Sequence, residues 1–297
     1  MVAEEELEAY RRAGKLVAEV REQARPLVKP GVMLLEIAEA VEDLIVQKGA
    51  KPAFPCNVSV NEIAAHYSPP ADDDTTIKDG DMIKVDVGVH VDGYIGDTAF
   101  TIATGEKQEL VQTVEQALEA EIAAVKPGID VGELGRIVEE TAAVAGFKPI
   151  RNLSGHSLAR WNLHAGLTVP NVKGETGQKL SVGDVVALEP FVTDGAGYVE
   201  DQQKVYILRY LYDRPVRLRM ARELLRDVKR AYDGLPFAER WLAKKMSKLR
   251  LELILRELVG VGALLPYHVL AERAGGKVAQ AEHTVIVTED GCEVTTR

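Results

Sequence analysis

Cysteine is scarce in this chain of 297 residues, which contains only Cys56 and Cys292. Two cysteines cannot build the disulfide framework that stabilises small secreted domains, so the composition fits a reducing compartment. Positive charge is also in deficit, because 36 Lys and Arg stand against 46 Asp and Glu, a formal net charge of -10. This balance argues against sequence-independent binding to DNA or RNA, which requires a basic surface, and no specific DNA partner is expected.

Long hydrophobic runs are absent as well. No stretch approaches the roughly 20 apolar residues that cross a membrane as a helix. The N-terminal stretch MVAEEELEAYRRAGKL is acidic and lacks the apolar core of a signal peptide. We therefore expect a cytoplasmic protein that makes no membrane contact. No exposed apolar seam is evident, so a monomer is expected.

An internal repeat is the first positive feature of the sequence. Residues 28–52 match residues 125–149 without gaps at an offset of 97, and ten of the 25 positions are identical. Each copy predicts a Lys-Pro-Gly turn followed by an amphipathic helix with apolar residues at helical spacing. Gly49 and Gly146 suit the left-handed residue that ends a helix. The alternative is a chance match between two similar helical hairpins.

The repeat continues into predicted strands, which favours a duplication. Residues 77–88 resemble residues 180–191 at an offset of 103, and the two Gly-Asp pairs align. Asp86 then falls on Glu189. The sequence therefore predicts two related halves, each with helices followed by a strand that carries a carboxylate near its middle.

Two acids share one predicted hairpin, KVDVGVHVDGYIGDT, residues 84–98. A two-residue loop at 92–93 would place Asp86 diagonal to Asp97, and a loop at 91–92 would place them directly opposite. Both registers put the two carboxylates on one face, because side chains alternate along a strand. Such a pair needs a cationic side chain, a shared proton or a metal ion, and the hairpin alone leaves all three open.

The matching acid of the second half lies far along the chain. Glu282 lies in the predicted strand 277–291, which is 93 residues beyond Glu189. The intervening sequence predicts several charged amphipathic helices, so we divide the chain into residues 1–195, an inserted helical subdomain at 196–262, and a return at 263–297. Four carboxylates with one imidazole suit two divalent ions, and this donor set favours manganese, cobalt, iron or zinc without selecting among them.

Three histidines lie in loops that lead to the acid-bearing strands. His66 and His164 are near-repeats at an offset of 98, and His156 opens the second of these loops. We predict that His156 is the nitrogen ligand and that the other two flank the metals and contact substrate. His90, beside the hairpin turn, is expected to be solvated.

Five stretches resemble motifs of the methionine aminopeptidases: NEIAAHYSP, DVGVHVDGYIGDTAF, GHSLARWNLHAG, ALEPF and AQAEHTVIV. They span nearly the whole chain. The resemblance implies an α+β, duplicated pita-bread (creatinase/aminopeptidase) fold with pseudo-two-fold halves. The long insert before Glu282 resembles that of the type II enzymes, a helical, winged-helix-like subdomain. The chain lacks the long polar N-terminal extension of eukaryotic type II enzymes and is similar to the archaeal form.

The resemblance also implies a ligand set for two divalent ions: Asp86, Asp97, His156, Glu189 and Glu282. Asp97 and Glu282 would bridge the ions. Asp86 would hold one ion, and His156 with Glu189 would hold the other.

Catalytic and substrate-binding roles follow from the same resemblance. A bridging hydroxide would attack the first peptide bond, and Glu189 would carry a proton from the nucleophile to the leaving amine. His164 would hydrogen-bond the scissile carbonyl, and His66 would contact the substrate beside the scissile bond. Phe54 and Tyr267 would grip the methionine side chain.

The implied activity is removal of the initiator methionine from nascent proteins and peptides, with a small second residue preferred. The implied partner is the N-terminal methionine of a nascent polypeptide, with the ribosome as a further candidate. Cys56 departs from the family pattern, because an aliphatic residue is expected near the pocket at that position.

Two other interpretations remain. Xaa-Pro aminopeptidases and prolidases resemble this site, but they usually carry a separate N-terminal domain and lack this insert. A non-catalytic relative that binds RNA or ribosomes would lose metal ligands, whereas this sequence has all five.

Overall fold

The computed structural model describes residues 3–174, 176–244 and 246–297. Its α-helices are α1 Glu4–Ala24, α2 Leu34–Gln47, α3 Gln108–Ala124, α4 Val131–Val144, α5 Arg219–Tyr232, α6 Glu239–Ala243 and α7 Lys248–Gly260. The strands of the first half are β1 Lys51–Pro52, β2 Asn57–Val60, β3 Ile63–Ala65, β4 Met82–Val91 and β5 Tyr94–Ala103. The remaining strands are β6 Lys148–Pro149, β7 Ser154–Ser157, β8 Thr168–Pro170, β9 Val185–Leu188, β10 Phe191–Thr193, β11 Val199–Tyr210, β12 Phe237–Ala238, β13 Leu264–Glu272, β14 Val278–Gln280, β15 Glu282–Val287 and β16 Cys292–Val294.

The predicted duplication is visible in the element boundaries. Helix α2 and strands β1 and β2 recur as α4, β6 and β7, and every boundary is displaced by 97 residues. The glycines that follow the paired helices, Gly49 and Gly146, adopt φ values of 76° and 79°. These left-handed residues end both helices as the sequence predicts, since glycine has no Cβ to oppose that conformation.

A nine-stranded sheet joins the two halves. Its strand order is β1-β4-β5-β15-β9-β7-β8, with β2 also paired to β4 and β16 to β15. Strand β15 pairs with β5 on one side and with β9 on the other, antiparallel in both cases. A strand from the C-terminal part of the chain therefore lies between the two halves and completes one continuous ladder.

The hairpin of β4 and β5 adopts the first of the two predicted registers. Asp86 lies opposite Ala99, and Gly88 lies opposite Asp97, so the two acids are diagonal neighbours. Asp92 and Gly93 form the two-residue turn with φ values of 52° and 90°, the conformation that the Asp-Gly sequence favours.

Asp86 and Asp97 lie on the face of the hairpin that points away from helices α1 and α2. On the opposite face, Val85, Val87 and Val89 are buried in a core formed with α1 and α2. A second core packs α3 and α4 against β9 and β15. Burial of one apolar face therefore fixes the register and turns every second residue of the hairpin toward the site.

Helices α5, α6 and α7 pack around a separate apolar core with residues of β11 to β13. These strands belong to a four-stranded sheet of order β12-β11-β13-β3. Strand β3 comes from the first half, so the sheet connects the helical segment to the rest of the molecule. The division at residues 196 and 262 remains a prediction, although α5 to α7 all lie within it.

Within the residues that the structure describes, none of the helices is both long and apolar enough to cross a membrane.

Candidate active site

Neighbouring strands bring the five candidate metal ligands together. Asp86 lies on β4, Asp97 on β5, Glu282 at the start of β15, Glu189 directly after β9, and His156 on β7. These strands are consecutive in the order β4-β5-β15-β9-β7. Residues that are 196 positions apart in the chain, Asp86 and Glu282, therefore meet because one sheet holds both.

A cavity of about 310 Å³ contains all the candidate site residues on its wall. Its lining includes Phe54, His66, Asp86, Asp97, His156, His164, Glu189, Tyr267 and Glu282. The five candidate metal ligands lie along the sheet, the two candidate substrate histidines lie in loops, and apolar side chains such as Leu163, Phe191 and Ile207 complete the wall. A concave, largely apolar cavity with a few convergent polar groups is typical of a small-ligand site. The roles assigned to the individual residues remain predictions.

The donor atoms form two groups that share Glu282. One group contains Asp97, His156 and Glu282, and the other contains Asp86, Glu189 and Glu282; within each, one ligand atom from every residue lies within 4.8 Å of the others. Nε2 of His156 is 3.8 Å from Oδ2 of Asp97. Glu282 belongs to both groups, and Glu189 lies in the group that contains Asp86.

Unsatisfied buried atoms test whether these residues suit a cation. Oδ1 of Asp86, Oδ1 of Asp97, both carboxylate oxygens of Glu282 and Nδ1 of His156 have no hydrogen-bond partner in the described part of the chain. A buried polar atom without a partner is costly, and such atoms are rare in native proteins. Carboxylate oxygens with one imidazole are a donor set that binds divalent metal ions, so the residues present fit a metal centre.

The electrostatics of the cavity support the same conclusion. Burial, followed by the charge of the neighbouring carboxylates, raises the pKa values of Asp97, Glu189 and Glu282 well above their ordinary range. Burial raises the pKa of Asp86 to about 7, and burial lowers the pKa of His156 to about 4. Four crowded carboxylates resist ionisation here, and a divalent cation would reverse that preference.

Hydrogen bonds around the cavity hold the ligand-bearing strands in place. The backbone N–H of Asp97 donates to Oγ1 of Thr284 at 2.9 Å, and Oγ1 of Thr98 donates to the carbonyl of Glu282 at 2.8 Å. Both bonds cross from β5 to β15. They fix the separation of Asp97 on β5 from Glu282 on β15, the strand that joins the two halves.

Gln280 is a site residue that the sequence analysis missed. Its side chain is buried, and Nε2 donates to Oε1 of Glu189 at 2.7 Å and lies 3.4 Å from Oδ2 of Asp86. It precedes Glu282 by two residues on the same stretch of chain. This spacing was the available signal, because side chains alternate along a strand. An amide in a strand, however, has no distinguishing sequence pattern.

The two loop histidines, His66 and His164, also line the cavity. Burial lowers the pKa of His164 to about 3, so its imidazole is neutral near pH 7. Its ring lies 4.5 Å from that of His156 and 6.3 Å from that of Tyr267, between centroids. Nδ1 of His66 is 3.0 Å from the carbonyl oxygen of His268. Since a carbonyl only accepts, Nδ1 carries the proton and Nε2 of neutral His66 is free to accept a hydrogen bond.

Phe54 packs tightly onto the hairpin that carries the acids. A Cβ atom added to Gly88 would lie 2.2 Å from Cε1 of Phe54, so the ring needs a glycine at that position. Tyr267 lies on β13 and meets the His66 ring edge-on at 5.3 Å. The structure thus brings both predicted pocket residues to the cavity.

One expectation about a nearby residue was wrong. His90 is buried rather than solvated, because its ring packs against Trp161 at 4.8 Å and its Nδ1 accepts the Gly93 N–H of the turn at 3.2 Å. Cys56 is buried in the core of the first half. Its neighbours Phe54 and Asn57 line the cavity instead, so the cysteine leaves the wall unchanged.

Comparisons with known proteins agree with this site. The model of Metallopeptidase family M24 matches residues 8–289. A methionine aminopeptidase of Methanothermobacter thermautotrophicus is 47% identical over 294 residues, 98% of each chain, and one of Pyrococcus abyssi is 50% identical over 286 residues, 96% of this chain and 97% of that one. The crystal structure of a methionine aminopeptidase from Thermotoga maritima superposes with a TM-score of 0.73 at 26% identity and covers 100% of this chain and 98% of that one. The chain belongs to metallopeptidase family M24.

Proposed function

We propose that this chain is a methionine aminopeptidase, a hydrolase that removes the initiator methionine from nascent proteins and peptides. The observation that carries the proposal is the cavity itself, in which five candidate ligands, two histidines and two aromatic rings share one wall. The high identity to proteins named methionine aminopeptidase over nearly the whole chain supports it.

The proposed cofactors are two divalent ions per chain, manganese, cobalt, iron or zinc, held by Asp86, Asp97, His156, Glu189 and Glu282. When bound, such ions polarise a carbonyl group and supply a strong nucleophile from water at neutral pH. The two groups of donor atoms with Glu282 in common support a pair of ions rather than one.

The side chains around the ions would move protons and orient the substrate. Glu189 would take a proton from the nucleophile and deliver it to the leaving amine, and Gln280 would hold its carboxylate in place. His164, neutral because of burial, would donate a hydrogen bond to the oxygen of the scissile carbonyl. His66 would accept a hydrogen bond from a substrate N–H beside the scissile bond.

Specificity for methionine would come from the apolar part of the cavity. Phe54 and Tyr267 present aromatic surfaces to which a flexible, polarizable thioether is well suited. A small residue after methionine would be preferred, because a large one would clash with the wall of the cleft. The free α-amine would reach the ion that Asp86 would hold, which would restrict action to the chain terminus.

The proposed partner is the N-terminal methionine of a nascent polypeptide in the cytoplasm, with the protein acting as a monomer. Charge distribution supports the ribosome as a further partner. Residues 213–260, within the proposed subdomain at 196–262, hold thirteen Lys or Arg against seven Asp or Glu, a net of +6. Since the whole chain carries -10, the remainder carries about -16. A basic surface on an acidic protein is what contact with a phosphate backbone requires.

A peptide cleavage assay tests the proposed activity. The purified protein is stripped with chelator, reloaded with manganese or cobalt, and offered Met-Ala-Ser, Met-Leu-Ser, Ala-Pro-Ser and N-acetyl-Met-Ala-Ser. We expect metal-dependent release of methionine, fastest from Met-Ala-Ser and absent from the acetylated peptide. Glu282→Ala should abolish it. Cleavage of Ala-Pro-Ser would instead indicate a Xaa-Pro aminopeptidase, and no cleavage with no retained metal would indicate a binding protein.

A further inference from the structure

A buried ion pair joins α6 of the helical segment to α2 of the first half. The Arg240 guanidinium, 3% exposed, donates to the Glu42 carboxylate. Trp241 Nε1 donates to Oε2 of Glu42 at 2.8 Å, and the backbone N–H of Cys56 donates to Oε1 at 3.1 Å. Nη1 of Arg240 also donates to Oγ of Ser68, which donates to the Cys56 carbonyl at 2.9 Å. These bonds close a ring through Glu42, Cys56, Ser68 and Arg240.

Two segments of this ring carry residues of the substrate cavity. Cys56 lies between Phe54 and Asn57, which both line the cavity, and Ser68 lies two residues after His66. The ring thus holds the backbone of both segments from behind. A shift of α6 would be transmitted to Phe54 and to His66 through hydrogen bonds rather than through loose packing.

The conformation of His66 depends on such support. Its φ value is 63°, in the left-handed region that non-glycine residues seldom adopt and that persists only where the surroundings hold it. On one side, its Nδ1 donates to the carbonyl of His268. On the other side, Arg240 fixes both Ser68 Oγ and the carbonyl of Pro69, the latter at 3.3 Å.

The approach to α6 contributes to the cavity as well. Pro236, three residues before the helix, lines the cavity wall, and the preceding Leu235 is buried in one cluster with Phe54. The position of α6 therefore determines the cavity wall in two ways, directly through Pro236 and indirectly through the ring.

We propose that Glu42 and Arg240 are positioning residues, through which the inserted helix α6 holds the Phe54 and His66 segments in the geometry that binds a methionyl peptide. The inference rests on the proposed function. Its structural basis is the connection that one guanidinium makes to a carboxylate, a hydroxyl and a carbonyl at once. An ammonium group cannot reproduce that fork, because it is a single point charge on a flexible stem.

Four variants of the full-length, metal-loaded protein test the proposal. Arg240→Lys keeps the charge and removes the fork, and Arg240→Met removes both. Glu42→Gln with Arg240→Met in one chain leaves no unpaired buried charge, so that it regains the stability that Arg240→Met alone loses. The matched control is Glu39→Gln, which breaks an exposed pair with Lys244 at 3.5 Å between the same helix α2 and the end of α6.

The expected result separates positioning from stability. With Met-Ala-Ser, at a temperature where every variant is folded, Arg240→Lys and the double variant should lose about 10–100-fold in kcat/KM with unchanged metal content, a loss of the size that supporting residues around a site produce. Glu39→Gln should match the wild type. In addition, amide hydrogen exchange should accelerate in residues 54–57 and 66–69 of Arg240→Lys, with the β4–β5 hairpin unaffected.

Two outcomes would overturn the proposal. If the double variant recovered the melting temperature of the wild type and a kcat/KM within twofold of it, the ion pair would have only a structural role. If amide exchange in the two segments did not change in Arg240→Lys, the ring would not hold them. Because exchange is measured without substrate, a wild-type protein that failed to release methionine would refute the proposed function and leave this second test valid.

Discussion

At the scale of single residues, the four carboxylates of the cavity dominate the behaviour of the molecule. Asp97 and Glu282 are 2% and 1% exposed and lie on adjacent strands, and each has at least one carboxylate oxygen without a hydrogen-bond partner in the described part of the chain. In the described part of the chain no Lys or Arg forms an ion pair with them, and the neighbouring His156, 3.8 Å from Asp97, has a pKa that burial lowers to about 4. The fully ionised arrangement is unfavourable by itself, and a divalent cation would neutralise it.

Asp97→Asn should abolish methionine release. We expect a loss of more than about 100-fold in kcat/KM and a reduced metal-to-protein ratio, because the neutral amide of asparagine would replace the charged carboxylate that the metal requires. Metal analysis of the dialysed protein and the Met-Ala-Ser assay measure both quantities. The matched control is Asp92→Asn, in the turn of the same hairpin, where asparagine tolerates the φ of 52°. Equal metal content in the two variants would contradict the proposed ligand set.

Prediction from sequence worked well for residues whose pattern is local. Asp86 and Asp97 stand out because acids interrupt an alternating strand that a two-residue turn aligns. Gln280 was missed because its place two residues before Glu282 was the available local signal, and that pattern does not show that its side chain reaches Glu189. His90 was predicted wrongly because a polar residue beside a turn is ordinarily exposed, and its burial depends on Trp161 from a distant loop.

At the scale of elements, close backbone packing sets the position of α1 against the sheet. A Cβ atom added to Gly14 would lie 2.4 Å from the carbonyl oxygen of Thr295, and one added to Gly96 of β5 would lie 2.7 Å from the backbone nitrogen of Gly14. The two glycines allow the helix to lie directly on the strand that carries Asp97. The approach of α1 is therefore limited by backbone, which cannot yield as a side chain can.

Gly14→Ala should destabilise the protein although alanine is the better helix former. Helix propensity favours alanine by about 1 kcal/mol, whereas overpacking against backbone costs about 1–3 kcal/mol and in this contact exceeds it. Urea unfolding should show a lower midpoint for Gly14→Ala. Gly260→Ala, at the end of α7 with nothing within 4 Å of the new Cβ, should be neutral or slightly stabilising. If both variants had a higher urea midpoint than the wild type, the backbone contact would not limit how closely α1 approaches β5.

Glu121 makes the stability of α3 depend on pH. Its carboxyl group is buried, and burial alone raises its pKa to about 8 from an ordinary 4.5. Between pH 4.5 and pH 8, the folded state keeps the proton on Glu121 while the unfolded state loses it. The contribution of protonated Glu121 to the free energy of unfolding is therefore complete below about pH 4.5 and is lost as the pH rises through 8. Glu121→Gln should therefore gain free energy of unfolding relative to wild type by up to about 1.4 kcal/mol per pH unit in that window. Urea titrations at pH 5, 6.5 and 8 measure it, and a constant difference would contradict it.

The helices were more predictable than the sheet. The repeat offset of 97 locates α4 from α2 without error, because turn residues and helical periodicity are local signals. The pairing of β15 with both β5 and β9 could be anticipated only from the duplication and the family resemblance, since partners separated by more than 90 residues leave no local pattern. The two short strands that flank β15, β14 and β16, were not distinguished at all.

At the scale of the whole molecule, the candidate metal site coincides with the junction of the two halves. Its ligands come from β4 and β5 of the first half, from β7 and β9 of the second, and from β15 between them. A cation bound here would cross-link all three parts. The same feature that creates the proposed chemistry would therefore contribute to the stability of the fold.

Removing the metal should lower the melting temperature of the entire protein. A ligand at 100 times its dissociation constant stabilises the folded state by about 2.7 kcal/mol, which corresponds to roughly 4 °C for a chain of this size. Calorimetry of chelated and manganese-loaded protein measures the difference. The Asp97→Asn variant should show little of this difference in melting temperature. If the melting temperature of the wild type did not change on metal loading, a bound metal would not stabilise the junction of the two halves.

The position of β15 in the sheet also imposes an order in time. The ribosome makes β4, β5, β7 and β9 first, and about 90 further residues must emerge before β15 can insert between β5 and β9. Until then, each half carries an open strand edge, a ready template for pairing with the wrong chain, and a set of acids that lacks Glu282. Without this strand the nine-stranded sheet would be divided into two parts, so the enzyme proposed to act on the beginnings of other proteins becomes competent only after β15 has been made.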